Sequence, residues 1–185
     1  MAETENLDSK DPIILVDGSS YLYRAYHALP PLLTSDNRPT GAIKGVISMI
    51  QRILIDHPDS PVAVIFDAKG KTFRHEMYKE YKANRPPMPT DLAEQIEPIH
   101  RIIELMGIKL ITISGVEADD VIGTLADQAR EKKIDTVIST GDKDMTQLVC
   151  KNVKVVNTMT GELLDTKGVK KKFGVPPELI IDYLA

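Results

Sequence analysis

The sequence has no tryptophan, three phenylalanines and a single cysteine. With so few aromatic rings, a core has to be built mainly from aliphatic side chains. One thiol, Cys150, excludes an intramolecular disulfide and any cysteine-rich zinc site, and it fits a reducing cytoplasm. No apolar run approaches the length of a membrane span. Residues 1–11 are polar and acidic and lack the apolar stretch of a signal peptide, so a loose tail is expected there. The four histidines, His27, His57, His75 and His100, have no metal-ligand spacing. A glycine-rich phosphate loop is also missing. Ser19 and Ser20 have no Ser-His-Asp context and read as helix caps rather than nucleophiles. The net charge of −4 does not exclude nucleic acid, because an acidic site and a basic face can share one chain.

What is present is a chain of 185 residues, 42% apolar, enough for one domain over residues 12–185. Four short apolar runs stand out: Ile13 to Val16, Val62 to Phe66, Ile108 to Ile113 and Thr136 to Ser139. They are rich in β-branched residues and do not alternate, the pattern of strands buried on both faces of a parallel sheet. Val153 to Val156 alternates more and reads as an edge strand. Helical periods separate the runs. Gly41 to Ile55 is one, and Leu92 to Met106 is another, with Pro98 expected to kink or split it. A third carries Val121, Ile122, Leu125 and Ala129. Residues 158–162 read as a turn, and 167–173 and 177–184 as two short helices. The last helix stops in mid-pattern, which leads us to expect a cut chain. The order is that of an α/β fold with a mainly parallel, Rossmann-like sheet.

Acids follow each of the four apolar runs: Asp17, Asp67, then Glu117, Asp119 and Asp120, then Asp142 and Asp144. The carboxyl ends of parallel strands share one sheet edge, so these seven carboxylates are expected to converge. Taken singly, each is more often a turn residue, a helix cap or a dipole partner. Repetition at four strand ends outweighs that reading. Carboxylates ~4 Å apart repel by roughly 4 kcal/mol at an effective dielectric of ~20. Such a cluster therefore stays protonated or takes up cations. An all-oxygen set favours Mg²⁺ or Mn²⁺, and its spread over four strands suggests two ions, the arrangement that clamps a phosphodiester. Asp119 and Asp120 diverge by about 100° on a helix, and each is expected to reach an ion.

Between Lys69 and Arg85 lie six Lys or Arg (69, 71, 74, 79, 82, 85) against two Glu, with Tyr78 and Tyr81 interleaved. Cations grip phosphates and aromatic faces stack unpaired bases. Arg74, Tyr78, Lys79, Tyr81, Lys82 and Arg85 are the candidate DNA contacts. Lys82 and Arg85, one helical turn apart, are the candidates for neutralising charge on a scissile phosphate. A weaker basic cluster, Lys167 and Lys170 to Lys172, reads as an exposed helix face. The bland alternative for the main stretch is a solvated basic helix with its tyrosines packed.

The motifs Val16-Asp17-Gly18-Ser19-Ser20, Phe66-Asp67-Ala68-Lys69-Gly70, Tyr81-Lys82-Ala83-Asn84-Arg85-Pro86, Gly115-Val116-Glu117-Ala118-Asp119-Asp120 and Thr140-Gly141-Asp142-Lys143-Asp144 strongly resemble the 5′ nuclease domain of bacterial DNA polymerase I, in its order and spacing. The resemblance covers nearly the whole chain after Asp11. It implies a PIN-like α/β domain with a basic helical arch, working as a monomer in the cytoplasm. It also implies a 5′→3′ exonuclease and flap endonuclease that acts on 5′ single-stranded flaps or ends and on RNA primers. The seven acids correspond to the family's metal-site acids, and Lys82 and Arg85 to its phosphate-contacting positions. In that family a Gly-Asp-x-x-Asp-Asn segment and a duplex-binding region come after the point where this sequence stops. Two other readings stay open: a module that binds 5′ ends without cutting, and a small ribonuclease of the related acidic type.

Overall fold

Ile14, Leu15 and Val16 offer no polar side chain to water, and the computed structural model, which describes residues 11–157 and 160–184, buries all three in β1 (Ile13–Asp17). Most of the expected tail, residues 1–10, and residues 158 and 159 of the expected turn lie outside the described residues. Beside β1 run β2 (Val62–Ile65) and β4 (Thr136–Thr140), both parallel to it. The sheet order is β3-β2-β1-β4-β5-β6, with β3 (Lys109–Ile111), β5 (Val153–Asn157) and β6 (Glu162–Leu164). All pairings are parallel except β5 with β6. The order steps outward from β1 in both directions, the Rossmann-like arrangement in which a crevice opens at the carboxyl ends of the central strands.

Because side chains alternate along a strand, the sheet has two apolar faces. Ile14, Val16, Val64 and Phe66 join α1 (Gly18–Ala28), α2 (Gly41–Asp56) and α4 (Thr90–Leu105) in one core. Leu15, Ile65 and Ile138 join α5 (Ala118–Glu131), α6 (Thr166–Phe173) and the start of α7 (Ile180–Leu184) in the other. Two glycines let helices come close. A Cβ on Gly45 would lie 2.5 Å from the Ala25 Cβ, and one on Gly18 would lie 2.6 Å from the Phe66 ring. The Phe66 ring packs in turn against His100 at a centroid distance of 4.5 Å. Gly18 and Phe66 each adjoin one of the strand-end acids, so this contact fixes how Asp17 and Asp67 stand relative to each other.

The structure corrects four expectations. β5 lies inside the sheet, and the edge belongs to β6, whose three residues are too few to show a pattern. Helix α4 runs through Pro98 without interruption, since Pro98 is exposed and the carbonyl that it leaves unpaired can face water. Ser19 and Ser20 do not cap α1. Asp17 does, through a bond from the Ser20 N–H. The basic stretch is helical only at α3 (Phe73–Met77). Beyond it, three successive tight turns are closed by the N–H groups of Tyr81, Ala83 and Arg85 on the carbonyls of Tyr78, Glu80 and Lys82. Pro86 and Pro87 and the left-handed backbone of Lys82, at φ 55°, prevent a regular helix there. No helix among the described residues is long and apolar enough to cross a membrane.

Candidate active site

At the ends of β1 and β4 the chain turns within two residues into a helix, and the acid there caps it. Asp17 Oδ1 accepts from the Ser20 N–H at 2.8 Å, and Asp142 Oδ1 accepts from the Asp144 N–H at 2.8 Å, opening the 3₁₀ helix Lys143–Leu148. Asp67 reaches across to α5, where its Oδ1 accepts from the Ala118 N–H at 2.8 Å. Unpaired N–H groups and the positive ends of these helices favour negative charge at this edge. The capping role and the role of a clustered acid therefore coincide in the same residues.

Three hydroxyls knit the strand ends together. Thr140 Oγ1 donates to Asp17 Oδ2 at 2.7 Å and accepts from the Asp142 N–H at 3.0 Å. Ser19 Oγ accepts from the Asp67 N–H at 2.9 Å, and Ser20 Oγ from the Gly141 N–H at 3.2 Å. The result is a cleft of ≈ 440 Å³ lined by Asp17, Asp67, Glu117, Asp119 and Asp142, with Lys82, Arg85 and Lys143 among its other walls. Asp17 and Glu117 are buried, whereas Asp119 is open to the cleft.

Crowding of negative charge is legible in the acids themselves. The protein around Asp119 screens part of it from water, and the charges of Asp17, Asp142, Asp67 and Glu117 add to that, so its pKa is pushed up to about 7. Burial raises Asp17 as well, against the bonds from Thr140 and Ser20 that lower it. Among the described residues, no three carboxylates, imidazoles or thiols stand close enough to grip one ion unaided. The donor set nevertheless suits a hard cation: it is all oxygen, it faces an open cleft, and the repulsion on Asp119 is of the kind that a divalent ion relieves.

The basic segment leans over this cleft. Lys82 Nζ donates to Glu117 Oε1 at 2.6 Å, and the Tyr81 hydroxyl donates to Glu117 Oε2 at 3.0 Å. Burial alone would lower the Lys82 ammonium, but the bond and charge of Glu117 outweigh it and the net shift is upward. Arg85 lines the cleft too, while Tyr78 and Lys79 are exposed away from it and the Tyr78 hydroxyl donates to Glu80. Two of the seven acids do not join the cleft. Asp144 is exposed on the first turn of the 3₁₀ helix. Asp120 turns away from Asp119 and holds Arg74 in a two-bond fork at 2.6 and 2.7 Å. That fork, through its hydrogen bonds first, lowers the Asp120 carboxyl and raises the Arg74 guanidinium.

Sequence reasoning passed over Thr140, the cleft-facing hydroxyls of Ser19 and Ser20, Lys143 and Tyr23, which also lines the cleft. The available signal was position: all but Tyr23 lie within a helical turn of a strand-end acid. Thr140 is fully buried, so Thr140→Val keeps the shape and strands Asp17 Oδ2 without its donor. We expect Thr140→Val to weaken Mn²⁺ binding by roughly 10-fold, the usual scale for an outer-shell partner, and Thr140→Ser to restore it. Equal affinities for Thr140→Val and wild type in calorimetry would remove the proposed role of the hydroxyl.

Residues 12–174 match the sequence model of the 5′-3′ exonuclease N-terminal resolvase-like domain. The chain belongs to that family. It is 61% identical over 177 residues to DNA polymerase I of Pseudomonas aeruginosa, covering 96% of this chain and 19% of that protein. It is 50% identical over 171 residues to a 5′-3′ exonuclease of Buchnera aphidicola subsp. Baizongia pistaciae, covering 92% of this chain and 57% of that protein. The chain of this family member thus spans about a fifth and somewhat over half of these two relatives. Its fold matches that of the bacteriophage T5 flap endonuclease, solved with DNA and metal ions, at a TM-score of 0.69 and 23% identity, over 91% of this chain and 63% of that one.

Proposed function

We propose that this 5′-3′ exonuclease family domain hydrolyses a phosphodiester at or near the 5′ end of DNA, with single-stranded flaps as substrate and Mg²⁺ or Mn²⁺ as cofactor. The observation that carries the reading is a basic segment, with Lys82 and Arg85, overhanging a cleft of five carboxylates. Its relatives are named DNA polymerase I and 5′-3′ exonuclease, which supports it.

Asp17, Asp67, Glu117, Asp119 and Asp142 would hold two ions; that Asp120 and Asp144 do not line the cleft supports leaving them outside that set. When bound, divalent ions supply positive charge to the attacking and leaving oxygens of the phosphodiester. The chain's own part is positional and electrostatic. Lys82 and Arg85 neutralise charge building on the phosphate. Tyr81 offers a ring for an unpaired base, and Lys79 and Tyr78 an outer contact to the strand. The product carries a 5′-phosphate. In the cell we place the activity in the bacterial cytosol, in a single chain, beside a polymerase and on RNA primers as well as DNA.

The test is cleavage of a labelled 5′-flap duplex by the purified chain with Mg²⁺ or Mn²⁺, with a chelator control and with Asp142→Asn. Metal-dependent cutting that Asp142→Asn abolishes supports the reading. The engagement of Glu117 by Lys82 and Tyr81 favours one second reading, a domain that binds 5′ ends without cutting. Mn²⁺ and flap binding without turnover would select it. Preference for single-stranded RNA over flap DNA would instead point to a ribonuclease.

A further inference from the structure

Asp120 occupies the third position of α5, and three hydrogen bonds engage its carboxylate there. Oδ2 accepts from Arg74 NH1 at 2.6 Å and from the Glu117 N–H at 3.0 Å, while Oδ1 accepts from Arg74 NH2 at 2.7 Å. Arg74 is the second residue of α3, in the first part of the basic segment. Its guanidinium also lies over the Phe73 ring at 4.6 Å and within 3.7 Å of Glu117. The backbone makes a second link between the same two pieces, from the Phe73 N–H to the Gly115 carbonyl at 2.9 Å. A rigid guanidinium fork on a carboxylate fixes orientation as well as distance, which a lysine point charge does not. Three residues before Asp120, on the same helix start, Glu117 receives Lys82 and Tyr81 from the far part of the segment.

We propose that Asp120 and Arg74 form a positioning pair that clamps the base of the basic segment to the start of α5, and so sets where Lys82 and Arg85 stand over the acids. In this assignment Asp120 is not a metal ligand and Arg74 is not chiefly a phosphate contact. The proposal deepens the nuclease reading and rests on it for its kinetic arm only.

The experiment compares wild type, Asp120→Asn, Arg74→Gln, their double variant and Arg74→Lys in three measurements on the purified chain. These are Mn²⁺ titration calorimetry, amide hydrogen exchange over residues 73–85, and steady-state flap cutting. We expect Mn²⁺ affinity of Asp120→Asn to stay within about two-fold of wild type, where loss of even an outer-shell partner costs about ten-fold and loss of a ligand more. We expect exchange over the segment to speed up by about ten-fold in both single variants and no further in the double. Arg74→Lys, which keeps every acid and the charge but loses the fork, should behave like Arg74→Gln. In cutting, kcat should fall to the same extent in the singles and the double. A ten-fold loss of Mn²⁺ affinity in Asp120→Asn overturns the proposal, as do losses that multiply in the double variant. If Asp120→Asn does not fold, unchanged segment exchange in Arg74→Lys overturns it by itself. If wild type does not cut, the nuclease reading fails while calorimetry and exchange still decide the clamp.

Discussion

Replacing Asp119 with Asn is expected to abolish flap cutting, to weaken Mn²⁺ binding by about 100-fold or more, and yet to raise the melting temperature of the metal-free chain. The two effects share one cause. Asp119 is pushed up to about 7 by partial desolvation and by the charges of Asp17, Asp142, Asp67 and Glu117. A carboxyl whose pKa is raised on folding holds its proton more tightly in the native state. Its contribution to stability is therefore largest at low pH and is lost as pH rises from its ordinary range through about 7. Above that pH the neutral amide removes the repulsion, and since solvent screens this exposed side chain, the gain is held to a few degrees at most. Ion binding runs the opposite way, because the proton must leave first. Wild-type affinity for Mn²⁺ should fall by about ten-fold per pH unit below neutrality for each proton displaced. Calorimetry between roughly pH 6 and 8 checks this, and a flat profile would mean that Asp119 does not face the ions.

Lys82→Ala is expected to slow single-turnover cutting by roughly 100- to 1,000-fold while changing flap affinity by much less. The Lys82 ammonium sits 2.6 Å from Glu117, one of the acids that would hold an ion, so it competes with the ion for that carboxylate. Its left-handed backbone, at φ 55°, is a strained conformation retained where surrounding contacts demand it. Removing the side chain frees Glu117, and Mn²⁺ should then bind more tightly to the metal-free chain than in wild type. Tighter metal with slower cutting separates a charge-stabilising role from a structural one. A loss of flap binding as large as the loss in rate, measured by fluorescence anisotropy, would overturn this assignment and make Lys82 a plain DNA contact.

The sheet was legible because its strands are short, aliphatic and bounded by acids. Ile13 to Val16 and Thr136 to Ser139 are short, rich in β-branched residues and followed by acids, which favours strands. The convergence of Asp17, Asp67, Glu117, Asp119 and Asp142 on one cleft follows from that topology alone. The fate of Asp120 did not follow, because a turn of about 100° between neighbours decides which residue meets the cleft, and the competing partner, Arg74, is 46 residues away. The turns after α3 escaped as well. Helical spacing of Lys82 and Arg85 says nothing about whether the backbone between them can be helical, and the left-handed Lys82 shows that it is not. Thr140 was missed for a simpler reason. A hydroxyl inside a strand looks like any β-former until the carboxylate beside it is located.

The two ends of the sheet bear on how the protein behaves at high concentration. Strands as rich in β-branched residues as β1 and β4 would recruit copies of themselves if they lay at an edge. They are central here, and the exposed margins fall to β3 and β6, each three residues long. Lys109 opens one margin and Glu162, paired with Lys172, opens the other. Short, charged margins offer few backbone groups for another chain to zip onto. Aggregation should therefore track partial unfolding that uncovers the inner strands, and it should be suppressed by whatever keeps β5 and β6 together.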